Sequence, residues 1–434
     1  MSGAIAKLRS VLAGDSLKFQ VFMSLALKGM GAFLSLCFNW SVAQIYGPLG
    51  SGLYGITQTT IMMLGILSMM GLDYVVLRGV ATDVRQGKLA NARGMVDVAR
   101  KASYLIAVLV GVALLLFHGV FAHLLGNDRL GDILVAACPA VLGLVSMRMN
   151  SFALRGGGSA VMSQAMEGTI TSSISLILII VVALLPQSPP VWIIGVIYTT
   201  SLIVTGLVGQ RAFARMSRDW PAGEKVDLRG LYAMGIPLVG TVLSNISTEW
   251  FTLTAITYFH SAEAAGKLRV ALQVLLVSTL ILSALEGAFG PKIAGAWAVE
   301  DRQEIARLGR KMMAVALACS TPLFLCIGLF PNFIMGLFRP EFLSAAKALQ
   351  ILAIGYVFVM AGSPFGITLV MCRCEKWMVA YSSFSLLILL AACAYFVPRY
   401  DVTGGAIAVV SAMLFRQVVA GLIVRFVLKI KILF

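Results

Sequence analysis

The feature that most constrains the fold of this chain is the recurrence of apolar runs of about 20 residues, each long enough to cross a bilayer as a helix. Hydrophobic residues make up 59% of the sequence and charged residues only 12%, which excludes a water-soluble fold. We therefore predict an all-α polytopic membrane protein with twelve transmembrane helices. The runs lie at residues 18–46, 51–77, 102–125, 133–154, 160–185, 190–213, 231–259, 265–290, 312–337, 343–371, 377–397 and 403–426.

The basic residues are distributed unevenly between the two sets of loops. If successive loops alternate across the membrane, most of the 34 lysines and arginines fall on one side. By the positive-inside rule that side is cytoplasmic, so both termini are predicted to be cytoplasmic. The same bias accounts for the net charge of +15 without a nucleic-acid partner.

The long basic connection at residues 211–230 divides the chain into two similar halves. A basic segment follows helix 2 at residues 79–93, and a segment of matched position and length follows helix 8 at residues 294–307. This pattern is typical of a parallel internal repeat. We predict an N-terminal six-helix lobe (1–213), a cytoplasmic linker (214–230) and a C-terminal six-helix lobe (231–434).

The sequence contains no motif for a nucleotide, a metal or a cofactor. No lysine is followed by serine or threonine, so there is no P-loop. The Cys372-Arg-Cys374 pair lacks further ligands nearby, which argues against a metal site. We expect no cofactor, and transport energy from an ion gradient, the membrane potential or a substrate gradient.

Lys28 lies about ten residues into the first apolar run, where a charge costs roughly 2.5–3.5 kcal/mol. At helical spacing it shares a polar sector with several other residues, among them Asn39. Such a face requires a water-filled cavity or buried polar partners. The sector consists of Gln20, Ser24, Lys28, Gly31, Ser35 and Asn39.

Helix 7, the equivalent of helix 1 in the repeat, has a polar sector of its own that contains Asn245 and Glu249. A carboxylate in a membrane is a candidate for ion or proton coupling, and Glu167 is a second candidate. Each carboxylate also has an alternative to this coupling role. The alternative for Glu249 is an ion pair with Lys28 that joins the lobes. The alternative for Glu167 is solvation or pairing with basic residues of the inner loops.

Three arginines also lie within predicted helices. Arg416 is near the middle of helix 12, too deep to reach the interface, and is predicted to face a cavity. Arg148 lies two turns from Arg155, so that a cavity role and an interfacial role are equally open. Arg269, near the outer end of helix 8, either guards an opening or meets headgroups. Guanidinium and ammonium groups suit a phosphate or pyrophosphate ligand.

Four residues are candidate hinges for alternating access. Gly29 and Gly31 weaken helix 1, and Pro237 with Gly240 weakens or kinks helix 7. The alternative is that these positions only permit close packing of helices.

Several motifs resemble those of the polysaccharide-transport flippases (the O-antigen and exopolysaccharide, Wzx-type group) in the multidrug/oligosaccharidyl-lipid/polysaccharide (MOP) superfamily. In the first half they are Ile-Tyr-Gly-Pro-Leu-Gly-Ser-Gly-Leu-Tyr-Gly at 45–55, Gly-Leu-Asp-Tyr at 71–74 and Arg-Gly-Val-Ala at 78–81. In the second half they are Phe-Gly-Pro-Lys-Ile-Ala at 289–294 and Asp-Val-Thr-Gly-Gly-Ala-Ile-Ala at 401–408. The resemblance covers nearly the whole chain.

The resemblance implies two pseudo-symmetric six-helix bundles around a central cavity, in a bacterial inner membrane. It further implies movement of undecaprenyl-pyrophosphate-linked oligosaccharide to the periplasmic leaflet, for O-antigen, capsule or exopolysaccharide synthesis. Expected partners are this substrate, membrane lipids, a polysaccharide polymerase and a chain-length regulator. Cationic cavity residues are characteristic of the family, and the candidates here, with two polar neighbours, are Lys28, Arg148, Arg269, Arg416, Asn39 and Asn245.

Other functional classes fit less well. A major-facilitator transporter carries an arginine in the signature after helix 2 where this chain has Val84. A membrane-embedded polymerase needs a sizeable external loop, whereas the predicted external loops are short. Lipid II flippases usually have two more helices. An ion-coupled multidrug exporter of the same superfamily has the same architecture and is the alternative function. Because both remaining functions are transport, we expect a transporter rather than an enzyme.

Overall fold

The computed structural model describes residues 17–185, 189–224, 226–372 and 374–432, and within these ranges it is helical without a β-strand. A single π-helical turn spans Ala165–Ile170, and a 3₁₀ turn spans Pro340–Ala345. The α-helices are α1 Leu17–Met69, α2 Leu72–Arg85, α3 Leu89–Leu124, α4 Asp128–Ala137, α5 Ala140–Gly156, α6 Ala160–Gln164, α7 Thr171–Ala183, α8 Ile193–Met216, α9 Leu228–Phe259, α10 Ala262–Ala298, α11 Arg302–Leu329, α12 Pro331–Gly336, α13 Ala346–Ala361, α14 Ser363–Met371 and α15 Glu375–Phe426.

Two of these helices contain a sharp break. The backbone of α1 leaves helical geometry at Gly47 (φ 65°, ψ −160°), immediately before Pro48. That of α15 does so at Asp401 (φ 49°, ψ −126°), three residues after Pro398. Both breaks fall in predicted external turns, so α1 holds the first two predicted spans and α15 the last two.

The predicted membrane fold is confirmed. In the described residues eight helices are long and apolar enough to cross a membrane, and a ninth span results if α4 and α5, bent by 44°, are taken together. The breaks in α1 and α15 divide each of them into two spans. With α9, which is helical from Leu228 to Phe259, every one of the twelve predicted spans has a helical counterpart.

Contacts between Cα atoms group the chain into two compact units. Unit 1 consists of the residues up to Ser41, Ile61–Val120 and Gly131–Val239. Unit 2 consists of Val42–Thr60, Phe121–Leu130 and the residues from Gly240 onward. The middle of α1 thus packs with the second half of the sequence. The predicted lobe limits at residues 213 and 231 stay a prediction.

Small residues allow close helix packing inside each unit. In unit 1, α5 meets α8 at Gly143, where an added Cβ would lie 3.0 Å from the backbone nitrogen of Ile203. In unit 2, α13 meets α15 at Gly355, where a Cβ would lie 2.6 Å from the side chain of Val410. Dispersion contacts at such crossings hold membrane helices together, because lipid offers no hydrophobic driving force between them.

Candidate functional site

Arg269 of α10 is the centre of a buried polar network in unit 2. Its side chain is only 2% exposed. Nη1 donates to Glu249 Oε1 on α9 at 3.2 Å, and Nη2 donates to Gln58 Oε1 on α1. The guanidinium lies 4.8 Å from the ring centroid of Tyr54. Arg269 is therefore held inside the helix bundle of unit 2, and the alternative in which it meets headgroups is wrong for this structure.

Glu249 connects this network to a cavity. Its side chain is 39% exposed, in contrast to its buried partner Arg269. It lines a cavity of about 140 Å³, which we call the Glu249 cavity, together with Gln273, Tyr356 and Arg416. One oxygen of Glu249 is thus engaged by a buried cation while the carboxylate borders open space.

A larger cavity adjoins it and contains Arg416. This Arg416 cavity has a volume of about 300 Å³ and shares Tyr356, Met413 and Arg416 with the Glu249 cavity. The phenols of Tyr356 and Tyr381 lie within electrostatic range of the Arg416 guanidinium. The remaining polar lining residues are Thr279, Glu286, Ser363, Ser382 and Gln417.

The donors around the Arg416 cavity suit an anion. A guanidinium supplies charge-assisted hydrogen bonds in a fork that matches phosphate oxygens. Phenols and the Gln417 amide can donate to the same oxygens. Glu286 is the one carboxylate that lines this cavity in the described part of the chain. The structure thus places Arg416 at a polar cavity, and its predicted role in substrate binding stays a prediction.

Arg148 in unit 1 has a different environment. Its Nε donates to Asp73 Oδ2 on α2 at 2.8 Å, and its guanidinium lies 5.0 Å from the ring of Phe152. The Arg148 and Asp73 side chains are 20% and 5% exposed. Asp73 is not among the predicted site residues, although it is the lone charged residue of the second apolar run. Arg148 therefore joins α5 to α2.

The polar residues predicted on helices 1 and 7 are only partly described. Lys28 is half-buried on α1. Asn39 is buried, and its Nδ2 donates to the backbone oxygen of Ser35 at 2.8 Å, so its amide serves its own helix. The side chains of Asn245 and Pro237 lie outside the described residues. The roles predicted for Lys28 and Asn245 stay predictions.

Glu167 belongs to a hydrogen-bond cluster in unit 1. Its Oε1 accepts from Arg155 Nη2 at 2.8 Å and from Ser151 Oγ at 2.7 Å. Ser163 joins both Ser151 and Arg155. Glu167 thus pairs with a basic residue, which is the predicted alternative to a coupling role, although Arg155 lies in the last turn of α5 and not in a loop.

The candidate hinges do not coincide with breaks. An added Cβ on Gly31 would lie 2.9 Å from the backbone of Gly168, so this glycine permits α1 to pack on the π-helical turn. No atom lies within 4 Å of such a Cβ on Gly29, and Gly240 makes only ordinary contact with Val379. The actual breaks lie elsewhere, at Gly47 and Asp401. Hinge motion at the predicted positions stays a prediction.

The chain matches a known protein family over most of its length. Residues 18–297 match the model of a family described as polysaccharide biosynthesis protein. The chain belongs to this polysaccharide biosynthesis family. One relative, an uncharacterized membrane protein of Methanocaldococcus jannaschii, is 23% identical over 165 residues, which is 37% of this chain and 32% of that protein. The alignment thus spans about a third of this relative.

Solved structures show the fold of this family member. An inward-facing multidrug resistance MATE family transporter of the MOP superfamily has a TM-score of 0.79 at 16% identity, covering 94% of this chain and 98% of that one. Lipid II flippase MurJ in an inward closed conformation has a TM-score of 0.75 at 12% sequence identity, and the match covers 94% of this chain and 87% of that one. A MOP superfamily transporter from Pyrococcus furiosus has a TM-score of 0.62 at 16% sequence identity, and the match covers 97% of each chain. The protein is a multi-pass membrane protein with the MOP-superfamily fold.

Proposed function

We propose that this protein is a flippase that moves undecaprenyl-pyrophosphate-linked oligosaccharide from the cytoplasmic to the periplasmic leaflet by alternating access. It would serve O-antigen, capsule or exopolysaccharide synthesis in a bacterial inner membrane, with both termini cytoplasmic. The observation that carries the proposal is the Arg416 cavity, in which a guanidinium and two phenols surround about 300 Å³ of space.

The cavity chemistry fits the pyrophosphate part of this substrate. A guanidinium held within a membrane helix bundle is costly unless anionic or polar groups face it. A pyrophosphate offers several charged oxygens to Arg416 and to the phenols beside it. Family membership supports a substrate in polysaccharide biosynthesis. The glycan would then extend into the space that the helices leave open.

We propose that Glu249 couples transport to an ion gradient or to the membrane potential. Its carboxylate pairs with the buried Arg269 and lines the Glu249 cavity. This cavity shares the Arg416 side chain with the neighbouring Arg416 cavity. A proton or cation at Glu249 would weaken its pairing with Arg269. Such a change would reach the Arg416 cavity through residues that both cavities share. A polymerase and a chain-length regulator are the partners expected in the pathway.

The proposal is tested in proteoliposomes that contain a fluorescent polyprenyl-pyrophosphate oligosaccharide. We expect the wild-type protein to expose the glycan to a quencher on the opposite leaflet, and Arg416→Gln to slow this at least tenfold. Arg416→Lys should retain part of the activity, because the charge remains while the fork geometry is lost. Arg399→Gln makes the same charge change in α15 on the other side of its break at Asp401, where Arg399 is exposed beside Tyr395, and this variant should flip the glycan normally.

A multidrug exporter is the second candidate, favoured by the likeness in fold to the MATE family transporter and by the aromatic and acidic lining of the Glu249 and Arg416 cavities. The same proteoliposomes loaded with a fluorescent hydrophobic cation distinguish the two. Gradient-dependent movement of the cation, without movement of the lipid-linked glycan, would replace the flippase proposal with the exporter.

A further inference from the structure

Residues 427–432 form a segment that folds back onto α11 of unit 2. Ile430 and Ile432 are buried, and an added Cβ on Gly309 of α11 would lie 2.9 Å from Ile432 Cδ1. The backbone nitrogen of Ile430 donates to the oxygen of Val424 at 3.1 Å. The segment is thus anchored by alternate apolar side chains, which leaves the intervening lysines exposed.

These lysines border a basic pocket. Lys429 and Lys431 line a cavity of about 480 Å³ together with Arg302 and Arg310 from the first turns of α11. In the described residues no carboxylate forms a salt bridge with any of the four. We call this cavity the basic pocket.

Two acidic side chains at the start of α11 are engaged elsewhere. Asp301 caps α11 by accepting from the backbone nitrogen of Glu304 at 2.9 Å. Glu304 accepts from Nε and Nη2 of Arg307 at 2.6 and 2.7 Å. The partial positive charge at the start of α11 adds to that of the four cations. The basic pocket is therefore suited to an anion.

An apolar groove adjoins the basic pocket. It has a volume of about 340 Å³ and is lined mainly by hydrophobic side chains of α13, α14 and α15, among them Phe358, Phe365 and Leu422. Lys431 and Ile432 line both the groove and the basic pocket. A single ligand with a charged end and an apolar chain can therefore occupy both.

We infer that the basic pocket and the apolar groove together bind one anionic phospholipid, with the phosphate among the four cations and an acyl chain along Phe365 and Leu422. Basic clusters beside membrane helices on the cytoplasmic side attract anionic headgroups. The charge asymmetry of the loops assigns residues 302–310 and 425–431 to that side. The basic pocket shares no lining residue with the Arg416 cavity, whereas the apolar groove shares Gly362 and Gln417 with it. The inference uses the four cations of the basic pocket and not Arg416, so it does not depend on the proposed substrate.

The experiment measures lipid binding to the purified full-length protein in uncharged detergent by native mass spectrometry, with phosphatidylglycerol and phosphatidylcholine as probes. We expect tighter binding of phosphatidylglycerol. Each cation contributes roughly fivefold to headgroup affinity, so the double variant Arg310→Gln/Lys431→Gln should weaken phosphatidylglycerol binding roughly 25-fold. The exposed pair Lys311→Gln/Lys376→Gln makes the same charge change outside the site and should bind as the wild type.

A second variant tests the groove. Leu422 is half-exposed at the groove, so Leu422→Trp fills space without cutting into the core, and we expect it to weaken phosphatidylglycerol binding while the thermal midpoint stays unchanged. Inorganic phosphate should compete poorly, because it lacks the acyl chain. Any of four results would overturn the inference. They are equal binding of the two lipids, an equal loss of phosphatidylglycerol binding in the control pair, full competition by inorganic phosphate, and tighter binding of a polyprenyl phosphate than of phosphatidylglycerol.

Discussion

The pairing of Arg148 with Asp73 allows a quantitative test of how unit 1 is held together. Asp73→Leu removes the acceptor that lies 2.8 Å from Arg148 Nε and leaves a mostly buried guanidinium without its counterion. Breaking a buried ion pair on one side costs about 3–5 kcal/mol. Because Arg148 retains 20% exposure, we expect the lower end, about 3 kcal/mol.

The double variant Asp73→Leu/Arg148→Leu should recover most of this loss, since neither charge remains buried. The coupling free energy from the cycle should be at least about 2–3 kcal/mol, the upper end of the usual range for contacting residues, because Arg148→Leu alone also leaves the buried Asp73 carboxylate unpaired. The assay is unfolding of the purified variants by sodium dodecyl sulfate in mixed micelles, followed by tryptophan fluorescence.

Asp97→Leu is the control, because it breaks the ion pair of Asp97 with Arg100, in which the aspartate side chain is 37% exposed. Pairs of this kind contribute about 0–1 kcal/mol. Strictly additive losses in the Asp73 cycle, or a loss at Asp97 as large as that at Asp73, would refute the reasoning.

Three further predictions follow from the network and the packing. Gly31→Ala should lower the thermal midpoint because its Cβ would meet facing backbone at 2.9 Å, whereas Gly29→Ala, with open space around it, should be neutral or stabilise by about 0.5–1 kcal/mol. Glu249→Gln keeps a neutral acceptor for its buried arginine and should destabilise less than Glu249→Leu in the same unfolding assay, while glycan flipping falls in both; normal flipping by either would remove its coupling role. Asn39→Ala should leave flipping within twofold of wild type, since its amide bonds its own helix; a tenfold loss would contradict that assignment.

The fold could be predicted because membrane spans are encoded locally. Apolar runs long enough to cross a bilayer mark the helices, and the Gly-Pro and Pro-x-x-Asp turns mark the breaks at Gly47 and Asp401. The membership of residues 42–60 in unit 2 could not be predicted, because it depends on contacts between segments distant in sequence.

The site could be predicted in part. The depth of Arg416 in an apolar helix signals a polar environment, and the structure supplies a cavity there. The hydrogen bond of Arg269 to Gln58 could not be read from the sequence, since Gln58 lies 211 residues away and only tertiary packing brings it near. For Arg148, the lone carboxylate of the second apolar run was the available signal. The basic pocket depends on a fold-back of residues 427–432 that no periodic pattern indicates.

The central claim is that the Arg416 cavity binds the pyrophosphate of a lipid-linked glycan. The most direct measurement is the affinity of purified wild-type and Arg416→Gln protein for a polyprenyl-pyrophosphate oligosaccharide, with Arg399→Gln as the matched control. A hydrogen bond to a charged group contributes about 1.5–3 kcal/mol, so Arg416→Gln should weaken binding roughly 10- to 150-fold. Unchanged affinity in Arg416→Gln, or an equal loss in Arg399→Gln, would contradict the account.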